Sequence, residues 1–165
     1  MNTKYEFTGK TKIVYGRTLY RIKAISAIGS TVAPGDIGGW IESENNLSVS
    51  GNAWVYGDAM VFGNASVSGK AEVYGKAEVY CNAEVYGNAE VHSNADYMTF
   101  KNSWSSGRWF TYTASNKKWK VGCFYGTGDE LVSKAYADSE LSGKCYEAIV
   151  RAVETIEAAK GRGVK

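Results

Sequence analysis

The chain has 165 residues, enough for one medium domain or two small ones, and a formal net charge of only +2. This charge gives no strong electrostatic case for binding nucleic acid or a membrane surface, and no apolar run is long enough to span a bilayer. The three cysteines lie far apart without a Cys-x-x-Cys pair. Their spacing argues against a disulfide framework or a zinc site and favours a reducing cytoplasm. We therefore expect a cytoplasmic protein without a bound metal or cofactor.

Residues 1–46 are predicted to be an N-terminal β cap and lead-in to the rest of the chain. Alternating residues separated by Gly9-Lys10 and Gly16-Arg17 predict a β-hairpin, which would cover the first strand edge of the segment that follows. The pair Gly38-Gly39 has the glycines of a phosphate loop, but no Lys-Ser or Lys-Thr follows it. We expect the neighbouring Trp40 to be a packing residue.

Residues 47–97 repeat every six residues, with the unit Val-x-Gly-Asn-Ala-x. The motif is clearest at residues 85–90, where Val, Gly, Asn and Ala occupy their usual positions. A six-residue period fits short strands with a tight turn after each one, and it places valine inward and its two neighbours outward. The repeated valines stand at Val49, Val55, Val61, Val67, Val73, Val79, Val85 and Val91.

The repeat resembles that of hexapeptide-repeat proteins, which form a left-handed parallel β-helix from triangular turns of about eighteen residues. The resemblance implies that residues eighteen apart lie on the same wall. One wall then presents Met60, Phe62, Tyr80 and Met98 outward, which is too apolar to face water. We expect this wall to pack on flanking segments or on another copy of the chain, most simply in a homotrimer.

Residues 98–165 are predicted to form a small α+β domain of three strands followed by two helices. Strands are expected near residues 97–104, 108–113 and 119–125, with turns rich in Ser, Gly and Asn between them. Thr127 and Glu130 have the spacing of a helix capping box, which predicts one helix to about residue 137. A second helix is predicted from about residue 139 to 159.

Nearly the whole chain resembles a group of bacteriophage and prophage proteins. The resemblance rests on residues 4–7, residues 35–42, the Gly-Asn-Ala-x-Val-Tyr repeats and residues 122–127. Members are described loosely as hexapeptide-repeat, acyltransferase-like or polymer-forming proteins, and these descriptions follow the repeat rather than a reaction. The resemblance implies a protein that acts in the cytoplasm of an infected bacterial host.

Hexapeptide-repeat acyltransferases use a histidine as general base, and this chain has a single histidine, His92. Glu90 lies two residues earlier on the same predicted strand and could orient the imidazole. The repeat is unbroken, however, and lacks the long loop that such enzymes insert between turns. Acyl transfer through His92 and Glu90 is therefore the alternative hypothesis, as is a purely structural protein without a small ligand.

We favour a non-enzymatic protein that binds and sequesters a small anionic ligand, such as a nucleotide second messenger of host antiviral defence. Aromatic faces for stacking and cations for phosphate are both concentrated after residue 100. A helix beginning near Thr127 could add backbone donors. The candidate ligand-binding residues are Trp104, Arg108, Trp109, Tyr112, Lys118, Trp119, Lys120 and Thr127.

Overall fold

The computed structural model describes residues 1–161, and residues 162–165 of the predicted C-terminal domain lie outside the described part. The chain divides into two compact units, Met1–Tyr97 and the residues from Met98 onward. Strands and helices follow in the order β1 Tyr5–Val14, β2 Arg17–Ala24, β3 Ile37–Ile41, β4 Trp54–Val55, β5 Met60–Val61, β6 Ser66–Val67, β7 Glu72–Val73, β8 Glu78–Val79, β9 Glu84–Val85, β10 Glu90–Val91, β11 Tyr97–Lys101, β12 Trp109–Thr113, β13 Lys118–Val121, β14 Phe124–Gly126, α1 Gly128–Asp138 and α2 Glu140–Ala159. Short 3-10 helices cover Glu44–Asn46 and Asn94–Asp96.

The prediction of a left-handed parallel β-helix is wrong. The fold is mostly β, but its strands belong to several small separate sheets rather than to one continuous helix. The sheets have the strand orders β1-β2-β3-β5-β8, β10-β7-β4, β6-β9 and β11-β12-β13-β14. Each repeat contributes a strand of only two residues, and the first of these sheets is mixed because it includes the antiparallel pair β1 and β2.

The repeat nevertheless has a regular pairing, because each short strand pairs in parallel with a strand eighteen residues away. Trp54 pairs with Glu72, and Glu72 pairs with Glu90. The seven valines from Val55 to Val91 have no exposed surface, and the alanines from Ala53 to Ala89 are at most 1% exposed. Burying one valine side chain stabilises the folded state by about 1.5–3 kcal/mol. These valines and alanines also make up much of the hydrophobic core of the first unit.

Val49 is an exception to the inward valines. Its surface is 49% exposed, and Leu47 takes the inward place, paired in parallel with Val67. The step from Leu47 to Val67 is two residues longer than the regular step. Val49 and Leu47 are two residues apart, so both side chains point to the same side of an extended chain. The pairing with Val67 therefore places Leu47 in the core instead of Val49.

Glycine stands at most turns of the repeat because the backbone there is left-handed. Gly51, Gly57, Gly63, Gly69, Gly75 and Gly87 all have φ between 56° and 75°. Cys81 occupies the same place in its repeat with φ of 60°, although a side chain makes this conformation unfavourable.

We predict that Cys81→Gly raises the free energy of unfolding by about 1 kcal/mol, because glycine adopts a left-handed turn without a steric penalty. The thiol is exposed, so the change removes no core contact. Equilibrium urea unfolding measures the effect. Cys123→Gly, at another exposed cysteine without positive φ, is the matched control and should not stabilise. Equal stabilities of Cys81→Gly and the wild type would contradict the prediction.

Two adjacent glycines let β3 lie against the repeat. A Cβ on Gly38 would stand 2.6 Å from the Trp54 ring, and a Cβ on Gly39 would stand 2.6 Å from the Ala59 carbonyl oxygen. β3 pairs in parallel with β5 through Trp40 and Met60. The glycine pair is therefore explained by close backbone approach rather than by phosphate binding.

The N-terminal hairpin covers part of the apolar wall predicted from the repeat. The Tyr15 ring lies 6.0 Å from the Phe62 ring, and Phe62 is only 6% exposed. Lys12 and Arg21 stack over the Trp40 ring at 4.5 and 5.0 Å. A flanking segment of the same chain thus provides part of the packing that the sequence predicted for this wall.

Lys4 is a buried cation, and its ammonium donates a hydrogen bond to the Ser48 carbonyl oxygen at 2.8 Å. Burial lowers the pKa of Lys4 from 10.5 to about 8. Between these values the unfolded chain binds the more protons, so this group makes the folded state more stable as pH rises from 8 to 10.5. Burial also raises the pKa of Tyr5 to about 12, which works in the opposite direction above pH 10.

We expect the stability of the wild type relative to Lys4→Met to increase from pH 8 to pH 10. Methionine removes the titrating group while filling similar space. Chemical unfolding of both proteins at several pH values measures the difference, which cancels the Tyr5 contribution. Lys144→Met, at an exposed lysine, is the control and should show no such trend. A pH-independent difference for Lys4→Met would contradict the prediction.

The second unit has four strands and two helices in its described part, up to residue 161, which is one strand more than the sequence predicted. The third predicted strand is divided at Gly122, whose φ of 55° turns the chain into the extra strand β14. The capping box predicted at Thr127 and Glu130 is confirmed at the start of α1. The core between the sheet and the helices contains Phe110, Tyr112, Trp119, Val121, Leu131, Val132, Val150 and Val153.

Candidate ligand-binding site

A pocket of about 640 Å³ opens in the second unit, which is a volume suited to a small ligand. The loop before β12 contributes Ser105, Ser106 and Arg108, and the sheet contributes Val121 and Phe124. The helices contribute the remaining lining residues, which are Leu131, Lys134, Ala135, Ala137, Asp138, Ser142 and Tyr146. The pocket therefore combines an apolar surface, two aromatic rings, four hydroxyl groups (three from serines and one from Tyr146) and three charged groups.

The loop that carries Arg108 is held in place by Asn102, which is only 1% exposed. The Asn102 amide nitrogen donates to the hydroxyls of Ser105 and Ser106 at 3.0 and 3.1 Å, and its oxygen accepts from the Ser105 backbone N–H at 2.9 Å. The Asn102 backbone N–H also donates to the Arg108 carbonyl oxygen. One buried amide thus fixes the backbone on both sides of the loop.

Arg108 differs from the other arginines of residues 1–161. Arg17, Arg21 and Arg151 each form an ion pair with a carboxylate, at 2.8 to 3.1 Å. Across the described chain, the Arg108 guanidinium forms neither an ion pair nor a side-chain hydrogen bond, and it lies against Gly122. An arginine without a carboxylate partner at a pocket is available for an anionic ligand.

The two helices approach closely beside the pocket because Gly143 has no side chain. A Cβ at this position would stand 2.2 Å from the Tyr136 ring of α1. The close contact places Ser142 and Tyr146 of α2 at the same pocket as Lys134 and Asp138 of α1.

Of the eight predicted ligand-binding residues, the structure places only Arg108 at the pocket. Trp104 lies next to it, with its ring 5.9 Å from that of Tyr146 and 6.2 Å from that of Phe110. Its indole nitrogen is buried without a hydrogen-bond partner in the described structure. Trp104 is thus part of the support behind Tyr146 rather than of the lining.

Tyr112 and Trp119 are core residues, with 5% and 2% of their surfaces exposed. They stand opposite each other on β12 and β13, and their rings are 5.2 Å apart. The interpretation of these two rings as ligand-stacking surfaces is therefore incorrect. Their burial against the helices makes them unavailable to a ligand.

Trp109, Lys118 and Lys120 belong to the face of the sheet opposite to Tyr112 and Trp119, because side chains alternate along β12 and β13. The Lys101 ammonium lies 5.9 Å from the centre of the Trp109 ring, and the Lys120 ammonium donates to the Gly122 carbonyl oxygen. Trp109, Lys118 and Lys120 are therefore not among the residues that line the pocket with Arg108.

Thr127 acts as the N-cap of α1. Its hydroxyl accepts a hydrogen bond from the Glu130 backbone N–H, and its own backbone N–H donates to the Glu130 carboxylate at 2.7 Å. That backbone donor holds the pKa of Glu130 below its usual range. Thr127 has a structural role in starting the helix.

His92 and Glu90, the alternative catalytic pair, are in contact in the first unit. His92 Nε2 lies 3.4 Å from the Glu90 carboxylate, and both side chains are more than half exposed. The imidazole stacks on Tyr74 at 4.6 Å, and Tyr74 stacks on Tyr56 at 4.5 Å. The histidine thus ends a column of parallel rings, and its catalytic role stays a prediction.

Five of the lining residues carry no sequence signal that predicted a place in the site: Phe124, Lys134, Asp138, Ser142 and Tyr146. Tyr146 belongs to the apolar face of α2, but nothing in that spacing distinguishes a pocket residue from a core residue. Lys134 and Asp138 stand four residues apart on α1, a spacing that is ordinary for solvent-facing charges. No local pattern could have identified these residues.

No protein-family model matches the chain, and a search of curated proteins found no similar sequence. Within residues 1–161, no helix is both long enough and apolar enough to cross a membrane.

Proposed function

We propose that this chain is a non-enzymatic binding protein that holds a small anionic ligand with a flat ring, of the nucleotide class, in the pocket of its second unit. The observation that carries this proposal is the unpaired Arg108 guanidinium at a pocket that also contains Lys134 and two aromatic rings. Arginine binds phosphate through two parallel hydrogen bonds, and lysine adds a mobile positive charge.

The remaining lining residues fit the other parts of such a ligand. Phe124 and Tyr146 can contact the face of a ring, and the apolar side chains of Val121 and Leu131 exclude water around it. Hydroxyl groups of the lining can donate to phosphate or accept from a sugar hydroxyl. The loop is preorganised by its internal hydrogen bonds, which lowers the entropy lost on binding.

The experiment is isothermal titration calorimetry with nucleoside monophosphates, cyclic di- and trinucleotides and ADP-ribose. We expect at least one of them to bind the wild type. Arg108→Gln should weaken that binding about 10- to 100-fold, because it removes a charge-assisted hydrogen-bonding group worth about 1.5–3 kcal/mol.

Arg151→Gln is the matched control, since Arg151 lies in the same unit but is engaged by Asp129 and Glu154 away from the pocket lining. It should bind like the wild type. Circular dichroism of both variants checks that the fold is unchanged. Absence of heat with every ligand, or equal losses in the two variants, would refute the proposal.

The proposal includes sequestration of a nucleotide messenger in the cytoplasm of an infected bacterium by a homotrimer of this chain. Sequestration requires binding without turnover. Recovering the ligand unchanged after release from the protein would support this part, and a modified ligand would contradict it. Multi-angle light scattering gives the subunit number directly.

A further inference from the structure

The pocket contains a carboxylate, Asp138, which a site for an anion alone would not need. A negative charge near the phosphate site weakens the binding of an anion by Coulomb repulsion. Asp138 is exposed and forms no ion pair or side-chain hydrogen bond within the described chain, although Lys134 stands four residues before it on α1. Both charges are therefore available to different parts of one ligand.

A carboxylate accepts hydrogen bonds through two adjacent oxygens and donates none. Its complement on a flat ring is a pair of neighbouring N–H donors. Guanine presents such a pair, because its ring N–H and its exocyclic amino group stand side by side. The corresponding edges of adenine and cytosine place an acceptor nitrogen beside the amino group, and a carboxylate would repel that acceptor.

We propose that Asp138 selects a guanine base, so that the ligand is a guanine nucleotide. This inference rests on the proposed function. Asp138 receives the two N–H donors of the base, Phe124 and Tyr146 contact the ring, and Arg108 with Lys134 binds the phosphate. Asp138 is a specificity-determining residue in this arrangement, whereas Arg108 contributes to the affinity for any nucleotide.

The test compares the calorimetric affinities of 5′-GMP, 5′-IMP and 5′-AMP for the wild type. IMP keeps the ring N–H of guanine but lacks the amino group, so it isolates one of the two hydrogen bonds. We expect GMP to bind about 10- to 100-fold more tightly than AMP, and IMP to bind with intermediate affinity. The specific variant is Asp138→Asn, in which half of the amide is a donor and cannot accept from guanine.

In Asp138→Asn the preference for GMP over AMP should fall to a few-fold or less, while AMP binds at least as tightly as to the wild type. Glu140→Gln, at a neighbouring carboxylate outside the pocket lining, should retain the preference. Equal affinities of wild type for GMP and AMP would overturn the guanine assignment and leave the proposed function standing. Absence of binding by all three nucleotides would overturn the guanine assignment, and the proposed function would then depend on the other ligands of its own test.

Discussion

Replacing Gly51 with alanine is expected to lower the free energy of unfolding by about 2–5 kcal/mol. The residue has φ of 72°, and a Cβ there would stand 2.4 Å from the Gly69 carbonyl oxygen. That oxygen belongs to the backbone and accepts hydrogen bonds from the N–H groups of Asn52 and Ala53, so it cannot move without breaking them. The clash therefore adds to the cost of a left-handed backbone.

Gly57→Ala is the matched control for Gly51→Ala. Gly57 also has positive φ, but a Cβ there would stand 3.6 Å from the Gly75 carbonyl oxygen, which is an ordinary contact. We expect a loss of only about 1–2 kcal/mol from the backbone conformation alone. Urea unfolding of both variants measures the difference. Equal losses would show that the close approach at Gly51 does not constrain the fold.

Asn46→Ala is expected to lower the free energy of unfolding by about 2–5 kcal/mol, because it removes three hydrogen bonds to backbone groups that are buried or partly buried. The Asn46 side chain has no exposed surface. Its amide nitrogen donates to the carbonyl oxygens of Gly63 and Ala65 at 3.0 and 2.8 Å, and its oxygen accepts from the Ser43 backbone N–H at 2.8 Å. The residue thus links the segment before the repeat to the turn at Gly63.

Two further variants show which of these hydrogen bonds matters. Asn46→Asp keeps the acceptor for Ser43 but places a carboxylate against two carbonyl oxygens, so we expect it to be at least as destabilising as alanine at pH 7. Asn45→Ala changes an exposed neighbour and should alter stability by less than about 0.5 kcal/mol. Thermal unfolding followed by circular dichroism compares all three. A wild-type melting temperature for Asn46→Asp would contradict the assigned role of the amide donors.

The buried residues of the first unit could be predicted from the repeat, because a period of six residues determines which side chains point inward. Val55 to Val91 and the alanines between them are buried as this rule predicts. The rule failed at Val49, where a longer step lets Leu47 pair with Val67. It also failed for the architecture as a whole, because spacing does not determine which short strands join into one sheet.

In the second unit, the concentration of aromatic and basic residues predicted which part of the chain holds the pocket, but it did not predict which residues line it. Arg108, Tyr112 and Trp119 lie close in sequence, yet the two rings are buried on the paired strands β12 and β13, whereas the arginine lies in the loop before β12 and lines the pocket. Lys134 and Asp138 reach the same pocket only because α1 packs beside the loop. That packing depends on contacts between distant segments, such as the approach at Gly143.

Paired short strands of the repeat lie eighteen residues apart, and this regular step limits which insertions and deletions the repeat can tolerate. Removing residues 62–79, one full step, would bring Val61 into the register that Val79 now holds, with its inward direction preserved. Losing one residue more or fewer would reverse the inside and outside of every later strand. Natural variants of this region should therefore differ in size by whole steps, as unequal recombination between the repeats would produce.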